Sequence, residues 1–495
     1  MYELMLALSV VVFLGVSVYY ARHPAASMFH PMTFYLMFHG LVFVIRPLFA
    51  WAYDFHVMYD VIGFQPTIWH KTTALLCANL SLVVFTGVSM GIGRDPLEFQ
   101  QTAFERGERA ALLRKFWPLA IVMAAFGMWA ILWGLQFMAT GDINELRAYD
   151  ARSGATYLVG ANGYFINMAL MLVSLCAIIV YLGRFKLWAL ALFGLYAVLK
   201  LGTGGRGQVV TCAVMIALFY LFDHRRKWPG FAIVLAAALG WLVFDQIGSD
   251  RGAGIREAIG IQEQGRAPVR SGKEEKPLET MDLANMEFLE YYVWAIPERT
   301  GTYNYFVHNL QLLTEPIPRA LWPGKPIGPP IKMYELYRYA VPIGITASVT
   351  GFGWTAMGYA GVVIWTALFA ALYGGAYRLL TRSRGSNLAV ITYVVFVSTS
   401  VVAFRDGGLM TILKVLQFYF VPVAGLAIIV YFLKSSAPAG ASQYMPGYAS
   451  GDARSRRRQL AMATDQALAP ALEVEPERDF TDSPQNRRRM LAADL

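Results

Sequence analysis

The chain has 495 residues, 56% of them hydrophobic and only 15% charged. Soluble domains carry about 25% charged residues, so the composition excludes an ordinary soluble fold and points to a chain solvated mainly by lipid. A net charge of +9 does not mark a nucleic-acid partner, because the basic residues fall in short connections and in the C-terminal tail, where membrane topology accounts for them.

Eleven apolar runs approach the roughly 20 residues that a helix needs to cross a bilayer. Their cores lie near 4–20, 30–50, 71–92, 116–138, 163–182, 186–201, 208–222, 229–247, 354–376, 387–404 and 413–433. The first has neither a basic leader nor a small-residue cleavage site and reads as a retained helix. "GTGGRG", residues 202–207, separates the sixth run from the seventh, since glycines at this density break a helix. The expected fold is an all-α polytopic membrane protein of about 11 transmembrane helices, with a large outward loop between helices eight and nine. Residues 1–247 form helices one to eight, 248–350 the loop, 351–434 helices nine to eleven and 435–495 a tail. Cys77, Cys176 and Cys212 all fall inside apolar runs and read as buried thiols.

The loop is uneven. Its first part is charged and flexible in composition, whereas "MDLANMEFLEYYVWAIPERTGTYNYFVHNLQLL", residues 281–313, sets apolar and aromatic residues at helical spacing. "EPIPRALWPGKPIGPP", residues 315–330, is too proline-rich for a helix. From Ser435 the tail is rich in Ala, Gly, Pro and Ser with "RSRRR" and "NRRR", a composition that buries no core and suits a disordered cytoplasmic segment beside anionic inner-leaflet lipids.

Lys and Arg concentrate in cytoplasmic connections. Arg22, then Arg94, Arg106, Arg109, Arg114 and Lys115, then Arg184 and Lys186, then Arg225, Arg226 and Lys227, and finally Arg378, Arg382 and Arg384 occupy one alternating set of connections. In the opposite set, residues 51–70 carry none. This bias puts the N-terminus and the long loop outside and the C-terminus inside.

Charges beside a membrane span are costly unless they meet water, a partner or a ligand. On the outward set lie Arg46 in "FVIRPLF", Arg147 in "LRAYDARSG", Arg206 in the glycine hinge, Arg251 after the eighth run, and Arg405 in "FRDGG". A guanidinium fork binds phosphate oxygens bidentately and stays charged, and glycines around Arg206 let backbone N–H groups approach an anion. Several such groups on one face suit a lipid diphosphate. Asp250 and Glu290 are outward carboxylates able to serve as a base, and Trp322, framed by prolines, offers a face for a sugar ring. No cluster of His, Cys, Asp or Glu has metal-ligand spacing, so the expected reaction uses no metal and no other cofactor.

The run 301–330, with the "GGRG" hinge, the Arg-Pro pair of helix two, "LRAYDARSG" and "GFGWTAMGYAG", resembles bacterial oligosaccharide repeat-unit polymerases, the Wzy-type O-antigen and exopolysaccharide polymerases. Arg319 and Lys325 fall where that motif carries its basic residues. One stretch departs from the family, "ASVTGFGW", where many members have a glutamate. The resemblance implies a GT-C-like glycosyltransferase of the bacterial inner membrane. It would move a growing glycan from undecaprenyl diphosphate to the terminal hydroxyl of a new lipid-linked repeat at the periplasmic face. In that reading Arg206, Arg319 and Arg405 stabilise the departing diphosphate, while Arg46, Arg147, Arg251, Lys325 and Trp322 hold substrate. Its partners would be undecaprenyl diphosphate-linked oligosaccharides and membrane lipids, with a chain-length regulator and a flippase as further candidates. An O-antigen ligase or a lipid-linked oligosaccharide transporter is the alternative.

Overall fold

The computed structural model describes residues 1–55, 57–99, 103–140, 147–149, 156–158, 162–202, 205–237, 240, 278, 283–317, 321–322, 324–326, 328–339, 345–383 and 385–435. The chain divides into a unit Met1–Phe432 and a second unit Leu433–Leu495. All sites below belong to the first. The tail from Ser436 onward lies outside the described residues.

In chain order the helices are α1 (Tyr2–Ala21), α2 (Pro31–His39), α3 (Arg46–Tyr53), α4 (Val57–Ile62), α5 (Ile68–Ile92), α6 (Ala103–Thr140), α7 (Asn162–Asn167), α8 (Met171–Leu182), α9 (Leu187–Gly202) and α10 (Arg206–Asp223). They continue as α11 (Asn285–Ala295), α12 (Gln311–Thr314), α13 (Ser348–Arg382), α14 (Asn387–Ser398), α15 (Ser400–Asp406) and α16 (Leu409–Ser435). Among the described residues, 9 helical stretches are long and apolar enough to cross a membrane, so the chain is a multi-pass membrane protein. Two expected spans fall short of that count. α9 has 16 residues, about 24 Å of helix against a hydrocarbon core of about 30 Å. The run at 229–247 is helical from 231 to 237, and most of its remainder lies outside the described residues.

Two helices extend past the apolar runs that predicted them. α6 starts at Ala103 rather than 116, and α13 covers Ser348–Arg382 rather than 354–376. Hydropathy marks the length immersed in lipid, whereas the backbone ladder continues into water. One element was not anticipated: Arg147–Tyr149 and Thr156–Leu158 form an antiparallel pair, β1 and β2, with Arg147 opposite Leu158. Its signal was the Ser-Gly of "LRAYDARSGATYL", a turn between two short β-prone runs.

Two interruptions shape the core. Between α2 and α3 the chain takes a π-helical turn, Gly40–Ile45. Pro47 has no N–H to give Phe43, so the ladder loosens ahead of it. A residue added to a turn rotates the following side chains by about 100°, which resets the direction of Arg46. In α13 the backbone leaves helical geometry at Met357 and Gly358, the latter at φ 60° and ψ −137°. Only glycine adopts that conformation without strain. The carbonyls of Thr355 and Ala356, freed by the break, accept instead from the N–H groups of Asn304 and Tyr305, both at 3.0 Å. The loop after α11 thus completes a helix broken in its middle.

α5 lies at the centre, against α1, α2, α11 and α13. Thr67 caps it, accepting from the His70 N–H while the His70 ring returns a bond to the Thr67 backbone. A buried cluster joins Leu6, Phe43, Met58, Leu75, Leu289, Tyr292 and Trp354. Many apolar side chains remain uncovered, such as Leu4, Val11 and Leu14 on α1, as suits faces that meet lipid.

Candidate functional site

Polar bonds sort the connections by side. Arg46, Tyr59, His70, Arg405 and Lys414 all bond to residues between 278 and 315. At the other ends of the helices, Arg109 bonds Asp223 and Asn387, and Met28 bonds the Lys227 carbonyl. The grouping agrees with the alternation read from Lys and Arg.

On the first side a cluster forms beneath α11. Asn285, at the start of that helix, is fully buried and its Nδ2 donates to the Thr346 carbonyl at 3.0 Å and the Arg405 carbonyl at 2.9 Å. That fixes the helix end. Glu287 and Glu290, one turn apart, then project from one face. Arg46 Nη2 donates to both oxygens of Glu287, at 3.0 and 3.1 Å, and Nη1 donates to the Leu278 carbonyl. Tyr59 donates its hydroxyl to Glu290 Oε2. Lys71 Nζ stands 4.9 Å from the Tyr59 ring centroid and 5.8 Å from that of Tyr2. Arg46, Tyr59, Lys71, Glu287 and Glu290, with Tyr2 and Asp54, border a cavity of about 160 Å³.

Glu290 is 2% exposed. Burial pushes its carboxyl up to about 7, and the Glu287 charge adds to that, while the Tyr59 hydrogen bond, Lys71 and Arg46 pull it down. Burial, then the Glu290 charge, hold the Tyr59 phenol well above its ordinary range, so it remains a donor. The cluster therefore sets one carboxylate against a guanidinium and a second, raised by burial, against a phenol, a pairing suited to proton transfer.

The expected site residues divide. Arg46 and Glu290 come together, but Arg46 does not present its charge to a phosphate, because its guanidinium is 1% exposed and committed to Glu287 and the Leu278 carbonyl. It holds α11 in place. Lys325 is likewise engaged within the loop: its Nζ donates to the carbonyls of Glu315 at 2.8 Å and Ile317 at 3.1 Å, and lies 3.7 Å from the Glu315 carboxylate. Arg206 opens α10 immediately after the glycine hinge, as the helix break required. Arg405 occupies the last turn of α15, its backbone tied to α11. Trp322 is partly exposed. Arg147 lies in β1, with its side chain outside the described residues, as are Arg251, Arg319 and Asp250. Asp406 accepts from the Thr411 hydroxyl at 3.1 Å.

Glu287, Tyr59 and Lys71 escaped the sequence reading. Glu287 and Glu290 at a spacing of three on an otherwise apolar-aromatic stretch were the available signal for a shared face, and Lys71 was a cation at the start of an apolar run. The aromatic residues Tyr291 and Tyr292 are core, as packing predicts. The three cysteines are buried free thiols. Among the described residues no group of His, Cys, Asp or Glu is arranged to hold a metal ion.

Searched against known proteins, the chain matches no protein-family model, no curated protein and no solved structure.

Proposed function

We propose that the chain polymerises lipid-linked oligosaccharide repeat units, transferring the growing glycan from undecaprenyl diphosphate to the terminal sugar hydroxyl of a new lipid-linked repeat at the periplasmic face of a bacterial inner membrane. The observation that carries this reading is Glu290, a buried carboxyl with a proton affinity near neutrality on the wall of a cavity that lies on the loop side. The cavity, about 160 Å³, is below the roughly 300 Å³ of sites that enclose a whole small molecule. It suits the hydroxyl-bearing end of a chain.

In this mechanism Glu290 takes the proton of the acceptor hydroxyl as its oxygen bonds the anomeric carbon of the donor glycan. The bond from that carbon to the diphosphate oxygen breaks, and its electron pair leaves with the lipid diphosphate. Tyr59 orients the carboxylate, and Arg46 with Glu287 fixes the helix that carries it. Arg206, Arg319 and Arg405 are assigned to the diphosphate, where positive charge stabilises the transition state more than the ground state, and Trp322 to a sugar face. Losing one such positioned charge costs about a hundredfold in rate.

A chromosomal Glu290→Gln substitution, examined on a glycan gel beside the deletion, tests the reading. Single repeats on lipid A core, without the ladder, are the expected result. A full-length ladder from a normally expressed variant removes Glu290 from the chemistry. No repeat attached to the core in the deletion points to a ligase, and lipid-linked repeats retained on the inner face point to a transporter.

A further inference from the structure

On the side opposite α11, the structure contains a larger hollow that the proposed chemistry does not use. It measures about 530 Å³ and is lined by Ala110, Leu113, Arg114 and Trp117 of α6, by Leu182 to Lys186 of the α8–α9 turn, and by Trp188 of α9, Phe185 excepted. Arg114, Arg184 and Lys186 bring three cations to its wall, and among the described residues that line it there is no carboxylate. Trp117 and Trp188 meet edge to face, with centroids 5.8 Å apart, and both rings remain partly exposed.

The turn is built tightly. Arg184 and Phe185 both take left-handed backbone, each at φ 56°, a costly conformation for residues other than glycine. The Arg184 N–H donates to the Tyr181 carbonyl and the Phe185 N–H to Val180, and the Phe185 ring packs edge-on against Tyr220. A Cβ on Gly183 would stand 2.8 Å from the Ile179 carbonyl and 3.1 Å from the Trp188 ring, so glycine is what lets Trp188 close this wall.

The hollow lies at the end of an apolar span, Gly107–Gln136, with its cations toward the water end and its tryptophans one step deeper. Guanidinium forks match phosphate oxygens, tryptophan belongs at headgroup depth, and basic recesses between helices take anionic headgroups. We propose that this recess is a binding site for an anionic glycerophospholipid, its phosphate held by Arg114, Arg184 and Lys186 and its glycerol and upper acyl chain laid against Trp117 and Trp188. The site stands independently of the reading of Glu290.

The test uses the purified full-length protein in neutral detergent, titrated with cardiolipin, phosphatidylglycerol or phosphatidylcholine, with binding read by native mass spectrometry and by the melting midpoint. Cardiolipin and phosphatidylglycerol are expected to bind and to raise the midpoint where phosphatidylcholine does not. Each cation removed should weaken binding by about fivefold, so Arg114→Gln/Arg184→Gln/Lys186→Gln should lose about a hundredfold. If the triple variant does not fold, Lys186→Gln alone must still show its share, because that side chain is exposed. Equal binding by variant and parent, or no preference over phosphatidylcholine, overturns the proposal. Inorganic diphosphate competing as well as the lipid would also overturn it, since the tryptophan wall would then contribute nothing.

Discussion

Two buried arginines stand at opposite ends of the helix bundle, and they are not doing the same thing. Arg109 is 1% exposed; its Nη1 donates to Asp223 at 2.7 Å, its Nε to Asn387 at 3.4 Å, and its guanidinium lies 4.1 Å from the Tyr181 ring centroid. A carboxylate, an amide and a ring thus meet this cation. Arg46 is as deeply buried, and it faces a helix carrying two carboxylates, donating to both oxygens of Glu287. The second acid, Glu290, accepts from a phenol and has an ammonium nearby, beside a cavity. The Arg109 pair ties helices together, whereas beside Arg46 burial raises a second carboxyl against the pull of the cations around it.

The comparison can be broken first through the arginines. Arg46→Ala should lower stability by about 3–5 kcal/mol, because it strands the buried Glu287 carboxylate, and Arg109→Ala by less, because Asp223 keeps partial access to water; detergent melting curves would register both. Neutralising the stranded partner should separate them. Arg109→Ala with Asp223→Asn should recover stability and leave transfer activity near normal, while Arg46→Ala with Glu287→Gln should recover stability without activity, since Glu290 then sits on a helix no longer tied to α3.

Next in size is Glu290→Gln, expected to reduce transfer at least about a hundredfold with the melting midpoint unchanged or raised above pH 7. The sign follows from the shift. The folded-state affinity, about 7, lies above the ordinary 4.5, so the folded chain holds this proton more tightly than the unfolded one. The resulting stabilisation is complete below about 4.5 and is lost as pH rises through 7, a change of about 3 kcal/mol. The glutamine variant should lack that pH dependence, which melting at pH 5 and pH 8 would reveal. Transfer activity of the parent should rise with pH through about 7.

A smaller effect is expected from Tyr59→Phe. The tyrosine hydroxyl lowers the Glu290 proton affinity, so its removal should move the activity profile toward higher pH while the maximal rate falls only modestly; a profile that stays in place would detach Tyr59 from the carboxyl. Smallest of all is Lys414→Ala. Its ammonium lies 2.8 Å from Glu315 but is half exposed, and such pairs contribute about 0–1 kcal/mol. Partial burial would raise the Glu315 carboxyl, and Lys414, Gln311 and Lys325 together bring it below its usual range.

Much was legible before folding. Apolar length marks immersion in lipid, so most of the spans could be read, and "GTGGRG" marked the division of α9 from α10 because glycine-rich backbone favours a helix break. Arg46 stood out as a charge a membrane should reject, and Glu290 as an outward carboxylate able to serve as a base. Arg46 and Lys325, assigned to substrate, proved to be committed within the protein. Arg109, taken as one of the cations of a cytoplasmic connection, lies inside α6 with its charge buried. The sequence shows a charge but not its partner.

What the sequence by itself determined is the periodic part: which segments dissolve in lipid, where glycine and proline interrupt them, and which connections carry positive charge. These follow from local chemistry over a few turns of chain. Only the tertiary structure decided that Arg46 meets Glu287, 241 residues away, that Asn304 and Tyr305 complete the broken α13, and that Glu290 is buried against Tyr59. Each depends on desolvation and pairing between distant segments, which no local pattern encodes.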